Sequence, residues 1–333
     1  MATIQDVAKQ AQVGVGTVSR VLNGNGYVKK ETRDRIEQAI AALDYTPNQM
    51  ARNLFFSRSG IVAVIVPEAG HPFFAQFVSA VEAALCEKGY QTMICNTYYE
   101  KNYELRYLDL LKQKRVDGII FCAHTTQDIS HYKAIKRPIV ALDWDLGEED
   151  IPCVMADHET GGRMAAKELI RSGCRNVIQV GSTESTDKVA TPSHIRYQVF
   201  EETMKEHGIP CRTVEGQWPT ADIRFYQKEA ERIFESYPDI DGFFATDMMV
   251  LAMLRTALAR GKRVPNELKL VAYDGTNCIG LAYPQITAVV QPIAQLAQKA
   301  AQLVVGQIEG GPIREKRVRL PVYLCAGDTT ARA

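Results

Sequence analysis

The sequence predicts two parts: an all-α N-terminal module of three short helices, then a larger α/β core built on doubly wound parallel sheets. Three observations point there. Apolar side chains recur at helical spacing through residues 4–43. From residue 60 onward, short β-branched runs alternate with longer amphipathic stretches, as strands covered on both faces by helices do. The chain has 333 residues, 46% of them hydrophobic, which is material for two or three domains with a sizeable core.

Thr3 followed by Asp6 has the form of a helix-starting capping box, with Asp where Glu or Gln is usual. Ile4, Val7, Ala8 and Ala11 then predict one amphipathic helix over 4–11, interrupted at Val13 and Gly14. Val18, Val21 and Leu22 form a second stripe, with Thr17, Ser19, Arg20 and Asn23 on the opposite side. Ile36, Ile40 and Leu43 share a face of a third helix near 31–43. The glycines of "AQVGVGTVSRVLNGNG" (11–26) raise a phosphate-binding loop as a rival reading. A dinucleotide loop follows a strand and carries a third glycine three residues after the second. Here a helix precedes Gly14, and Ser19 stands three residues after Gly16. Two short helices joined by a tight turn, with a third packed across them, make a helix-turn-helix. A three-helix bundle that touches nothing is the alternative to a DNA-binding module.

Charge suits a polyanion partner. Residues 1–58 hold eight Lys or Arg against five acids, a net +3, in a chain whose formal net charge is zero. Pro47 and Asn48 then open a helix in "LDYTPNQMARNLFFSRSG" (43–60). At about eight residues it is not stable alone in water and is expected to order on a surface. With Leu54 and Phe55 at one end and Arg52 nearby, it suits apolar wedging between base steps in a minor groove. The alternative is a linker helix docked on the next domain.

Eight cysteines are scattered without a C-x-x-C pair, so neither a disulfide framework nor a metal site is expected, and no cofactor is implied. The N-terminus is polar rather than signal-like, and no apolar run approaches the ~20 residues of a membrane span. A cytoplasmic protein without membrane contacts is expected.

The stretch "TIQDVAKQAQVGVGTVSRVLNGNGYVKKETRDRIEQAIAALDYTPNQMARNL" (3–54) resembles the N-terminal domain of the lactose-repressor (LacI/GalR) family of bacterial transcription regulators. That resemblance implies a homodimer that places the helix starting near Val15 in the major groove of a palindromic double-stranded operator. It also implies a hinge helix near 48–56 whose Leu54 kinks the central base step. The DNA contacts so expected are Thr3, Val15, Gly16, Thr17, Ser19, Arg20, Asn23, Tyr45, Asn48, Arg52 and Leu54. Family members commonly carry longer polar side chains where this chain has Val15 and Gly16. Base readout is therefore expected to rest on Thr17 and Arg20, with Ser19 and Asn23 on phosphates.

In the core, "GIVAVIVP", "QTMICNT", "VDGIIFCA", "RPIVALD", "NVIQVGS", "DGFFATD" and "LKLVAYDG" read as buried parallel strands. Ligands of such folds sit at the carboxyl ends of strands. His71, Phe73 and Phe74 follow the first run, Asp143 and Trp144 another, and Asp247 and Asp274 end "FFATD" and "VAYD". Arg196 falls on a helix expected after "QVGS", and Trp218 lies in "EGQWP". Carboxylates and Arg exchange hydrogen bonds with vicinal hydroxyls, and aromatic faces stack on a pyranose, so the set suits a sugar. Each residue alone also has a duller reading: an Asp at a strand end often caps a helix, and Phe73 and Phe74 suit a core.

The resemblance continues to about residue 325 through "PFFAQFVSAVE", "VDGII", "PIVALD", "GGRMAAKEL", "ATDMMVL", "VAYDG" and "ITAVVQPI". It implies a two-lobed core like the periplasmic binding proteins, with ligand in the cleft. By it Phe73, Phe74, Asp143, Arg196, Trp218, Asp247, Asp274 and Gln291 line that cleft. The expected layout is 1–46 helix-turn-helix, 47–59 hinge helix and linker, and 60–333 effector-binding and dimerisation core. Lobe 1 covers about 60–157 and 290–316, and lobe 2 about 158–289 and 317–333. "YQTMICNT", "EKNYELRYLDLLKQKRVDGII" and "LKLVAYDGT" look most like the sucrose-operon repressors. No Lys or Arg cluster suits a phosphate monoester, which favours a neutral sugar over a sugar phosphate, and the resemblance implies a sucrose-like disaccharide. Alternatives are another sugar, a sugar phosphate, or a global carbon-catabolite role. A sugar-active enzyme could draw an acid–base pair from Asp143, Asp247 and Asp274, but no nucleophile-elbow or metal motif accompanies them, and a non-enzyme is expected. A transport-type binding protein would carry a secretion signal.

Overall fold

The computed structural model describes residues 2–23, 26–46, 58–122, 130–133, 135, 138–145, 151–181, 192–215 and 222–330. The hinge segment with Asn48, Arg52 and Leu54, and the loop with Trp218, lie outside the described residues. The chain divides into two compact units, Met1–Ser59 and Gly60–Ala333.

The first unit holds α1 (Ile4–Gln10), α2 (Val15–Asn23) and α3 (Lys30–Ala42). The capping box forms as its spacing predicts. Thr3 Oγ1 accepts from the Asp6 amide at 3.3 Å, and the Asp6 carboxylate accepts from the Thr3 amide at 2.8 Å. Gln12, at φ 55°, ends α1 with the Val13 amide bonded to the Ala8 carbonyl and the Gln12 amide to that of Lys9. This satisfies two carbonyls that the helix end would leave open. Val7, Ala8, Ala11, Val18, Val21, Ile36 and Ala39 close one small apolar core, so each helix contributes the stripe its sequence period gives it.

The second unit is built on two six-stranded sheets. Its elements are, in chain order, β1 (Ile61–Val66), α4 (Pro72–Cys86), β2 (Gln91–Asn96), α5 (Lys101–Lys112), β3 (Gly118–Phe121), α6 (Ser130–Lys133), β4 (Ile139–Leu142) and β5 (Cys153–Ala156). There follow α7 (His158–Arg171), β6 (Val177–Gly181), α8 (Pro192–Glu206), β7 (Cys211–Glu215), α9 (Ile223–Ser236), β8 (Gly242–Thr246), α10 (Asp247–Ala259) and β9 (Lys269–Asp274). Finally come β10 (Thr287–Val290), α11 (Ile293–Ile308), β11 (Arg317–Leu320) and β12 (Tyr323–Cys325). The first sheet runs β11-β5-β4-β3-β1-β2 and is parallel throughout. The second runs β12-β10-β9-β8-β6-β7, parallel except for β12, which pairs antiparallel with β10.

The chain passes between the sheets after β5, after β10 and after β11. This corrects one expected boundary. Arg317–Leu320 pairs in register with Cys153–Ala156, so 317–320 belongs to the first sheet and the last passage falls at 321–322. A second correction concerns "QTMICNT". It forms β2 at the sheet edge, where one flank has no neighbouring strand and the residues are mostly half-buried or exposed. The continuous runs of β1, β3 and β4 are buried almost throughout, because helices cover both their faces.

Candidate functional site

Within the first unit, α2 carries residues expected to meet DNA. Val15 is 41% exposed, Gly14, Gly16 and Arg20 are exposed, and Thr17 and Ser19 are half-buried. A Cβ built on Gly16 meets nothing within 4 Å, so the glycine leaves a bare notch beside Val15. Val18 and Val21 face inward, as helical spacing requires, and thereby aim Thr17 and Arg20 outward. Thr3 is placed as a helix cap, its hydroxyl on Asp6. Tyr45 packs against the small core. Tyr27, which sequence reasoning passed over, is 88% exposed in the turn after α2.

Within the second unit, the strand ends bring Arg196, Asp274, Gln291 and His71 together. Asp274 ends β9 at φ 110°, followed by Gly275 at φ 67°. Two consecutive left-handed residues are costly unless the surroundings hold them, and here they turn the carboxylate sharply out of the strand. Its Oδ1 accepts from Gln291 Nε2 at 2.8 Å and from Arg196 Nη1 at 3.4 Å. The Arg196 guanidinium lies over the Tyr273 ring, 4.3 Å from the centroid, with Tyr197 at 5.0 Å. The side chains of Arg196, Asp274, Gln291 and His71 are all buried.

Burial pushes the His71 imidazole below its ordinary pKa; Asp274 and Glu68 oppose the shift and Arg196 adds to it. His71 is therefore neutral at pH 7, able to donate through one ring nitrogen and accept through the other. Both of its nitrogens, Arg196 Nε and Gln291 Oε1 are buried with no hydrogen-bond partner among the described residues. Buried polar atoms without partners are costly. Four of them lie in the group around Asp274, where they are available to donate and accept.

Three expected residues are placed differently. Asp247 begins α10 and clamps the turn behind the site: its carboxylate accepts from the Gly275 amide at 3.2 Å and from the Thr276 amide and hydroxyl at 2.6 Å each. Burial, with Asp274 nearby, pushes its pKa up to about 7 against the pull of those bonds. Trp144 is buried edge-on to Phe121 and Tyr132, in the core cluster of the first sheet. Phe73 belongs to the core with Phe77, whereas Phe74 is half-buried with its ring 5.7 Å from His71.

Asp143 follows β4 at φ 50°, with Oδ1 accepting from the Ala156 amide at 3.1 Å. The same oxygen lies 3.1 Å from Nε2 of His158, a residue that sequence reasoning did not single out. His158 Nδ1 lies 3.0 Å from the Tyr273 hydroxyl. Its signal was faint: a histidine just behind the Asp157 cap of α7 reads as an ordinary first-turn residue. The glycine pair after it was the better clue. A Cβ on Gly161 would sit 2.4 Å from the Tyr273 hydroxyl, and one on Gly162 2.2 Å from the Arg196 carbonyl. Only glycine lets β9 and α8 approach α7 this closely.

The comparisons agree across both units. Residues 3–48 match the model of bacterial regulatory proteins of the lacI family, and 59–326 that of periplasmic binding proteins and the sugar-binding domain of the LacI family. The ribose operon repressor of Halalkalibacterium halodurans is 36% identical over 99% of this chain and 97% of its own. The sucrose operon repressor of Streptococcus mutans is 31% identical over 99% of each chain. Among solved structures, a transcriptional regulator CelR–cellobiose complex aligns at TM-score 0.71 and 28% identity over 99% of this chain and 100% of its own. A lac repressor dimer bound to operator and an anti-inducer aligns at TM-score 0.84 over 99% of both chains; at 22% identity it speaks for the fold alone.

Proposed function

The chain belongs to the lacI family of bacterial regulatory proteins, transcriptional repressors rather than enzymes, and we propose that a neutral sugar controls its grip on DNA. The carrying observation is the buried set of partnerless donors and acceptors around Asp274. Arg196 supplies fixed donors, Asp274 accepts, and neutral His71 and the free Gln291 oxygen do either. That is the inventory vicinal hydroxyls require. Two relatives named for ribose, at 36% and 35% identity, stand above two named for sucrose, at 31% and 32%, and a third named for ribose stands at 29%; on the first two, ribose ranks ahead of the sucrose-like disaccharide expected from sequence motifs.

In this reading α2 enters the major groove of a palindromic operator, with Thr17 and Arg20 reading bases. The 47–59 segment, through Asn48, Arg52 and Leu54, contacts the minor groove, and the protein works in the cytoplasm as a homodimer. Leu281 and Tyr283, 98% and 89% exposed, and Ile94 on edge strand β2, 55% exposed, supply apolar surface for pairing. The sugar favours a lobe arrangement that releases the operator, a population shift set by its differential affinity.

Calorimetric titration with D-ribose and with sucrose tests the reading, alongside operator binding with and without each sugar. Arg196→Ala should weaken sugar binding by about tenfold to a hundredfold, since a charged hydrogen bond contributes ~1.5–3 kcal/mol, while operator affinity without sugar holds. An unchanged sugar titration would remove Arg196 from the site.

A further inference from the structure

We propose that His158 is a positioning residue that couples the sugar cluster to the crossover between the lobes. The inference rests on the sugar-responsive reading above and adds the route by which occupancy reaches the lobe angle. His158 opens α7 directly after β5, where the chain leaves the first sheet. Its helix packs on the second sheet, against β8, β9 and β10. On one side its Nε2 lies 3.1 Å from Asp143, which follows β4 of the first sheet. On the other its Nδ1 lies 3.0 Å from the hydroxyl of Tyr273, on β9 of the second. The imidazole thus stands between the two sheets, at the first passage of the chain between them.

The two contacts differ in kind. Nε2 approaches Asp143 Oδ1 within ion-pair range but without hydrogen-bond geometry, and it has no hydrogen-bond partner among the described residues. Nδ1 is hydrogen-bonded to the Tyr273 hydroxyl at 3.0 Å, and the tautomer sets which of the two donates. At 3% exposure the ring is closed off from bulk solvent. Asp143 holds φ 50° and Asp274 φ 110°, so both ends of the chain of contacts sit on backbone that ordinary side chains avoid.

The route is continuous. A sugar that engages Arg196 and Asp274 fixes the guanidinium over the Tyr273 ring, 4.3 Å away. Tyr273 has little room toward α7, since a Cβ on Gly161 would sit 2.4 Å from its hydroxyl. What remains free to respond is the hydroxyl's bond to His158 and, through it, the hold on Asp143. Rotation of the lobes separates Asp143 from Tyr273, and His158 then keeps one partner only. The bistable element is this pair of contacts, one hydrogen bond and one ion-pair-range approach, and sugar bound at Asp274 biases it.

The test uses the full chain, D-ribose and sucrose as probes, and a duplex recovered by the wild type from a random-sequence pool. Sugar binding is read by calorimetry and operator binding by fluorescence anisotropy, with and without sugar. In the wild type sugar should change operator affinity at least fivefold, within the ordinary range of such couplings. His158→Gln should keep its sugar Kd and its sugar-free operator Kd within about threefold, yet reduce the coupling to less than about twofold. Tyr273→Phe keeps the ring beneath Arg196, loses only the hydroxyl, and should lose the coupling in the same way. If His158→Gln does not fold, the Tyr273→Phe result decides. Full coupling in a folded variant overturns the inference while leaving the sugar-responsive reading intact. Loss of sugar binding itself in His158→Gln also overturns it, by making the residue part of the binding site. A wild type that responds to neither sugar overturns both.

Discussion

Asp247 and Asp274 follow apolar runs of the same kind and read alike in the sequence, yet they do different work. Asp274 is thrown outward by its left-handed backbone and shares its charge with Arg196 and Gln291. Asp247 stays behind the turn, saturated by Gly275 and Thr276. Only the backbone angle separates them, and nothing in "FFATD" and "VAYDG" encodes it plainly. The difference has a thermodynamic signature. With its folded pKa raised to about 7 from 3.8, Asp247 favours folding in its protonated form. That contribution is complete below pH ~4 and is lost as the pH rises toward 7. Asn carries no proton to lose. The melting temperature of Asp247→Asn should therefore gain on that of the wild type, by a margin worth a few kcal/mol, as the pH goes from 4 to 7.5. Melting curves across that range check it; a constant difference would mean the carboxyl titrates normally.

At the level of elements, α2, the helix proposed to read the operator, has a gap in its exposed face. Because a Cβ on Gly16 meets nothing, a longer side chain fits there without moving the helix. Gly16→Gln should leave the melting temperature level or slightly raised, since glycine is a poor helix former. It should also add a preference for adenine at the facing base, worth ~1–3 kcal/mol, while the wild type stays indifferent there. Binding to duplexes permuted at that position reads both effects, and a strong wild-type preference would show that the backbone or Val15 reads the base. The same helix shows what was legible. The periodicity of Val18, Val21 and Ile36 and the Thr3–Asp6 box gave the first unit almost whole, because its contacts are local. Apolar runs gave β1, β3, β4, β8 and β9. The strands β5, β11 and β12 did not declare themselves, since their register comes from partners elsewhere in the chain. His158 was illegible for the same reason: its partner Tyr273 is 115 residues away.

In the whole molecule, the cores predict how the chain comes apart. The seven buried residues of the helical unit form a cluster of their own. In the larger unit one cluster joins Val62, Val64 and Val66 of the first sheet with Phe244, Val271 and Val289 of the second. The lobes therefore share apolar packing that neither can lose alone, although their sheets are separate and the chain passes between them three times. Calorimetric unfolding should show two transitions, not three. The smaller, from about 50 residues, should carry on the order of 35 kcal/mol and the larger on the order of 190, at ~0.7 kcal/mol per residue. Sugar stabilises only what binds it, by about 2.7 kcal/mol at a hundred times Kd, so the larger transition alone should move upward and the smaller should stay in place. A third transition would mean that the shared cluster does not hold the lobes together as one cooperative unit. A sugar-induced shift of the small transition would show that occupancy reaches the helical unit even without DNA, and that the two units are energetically one.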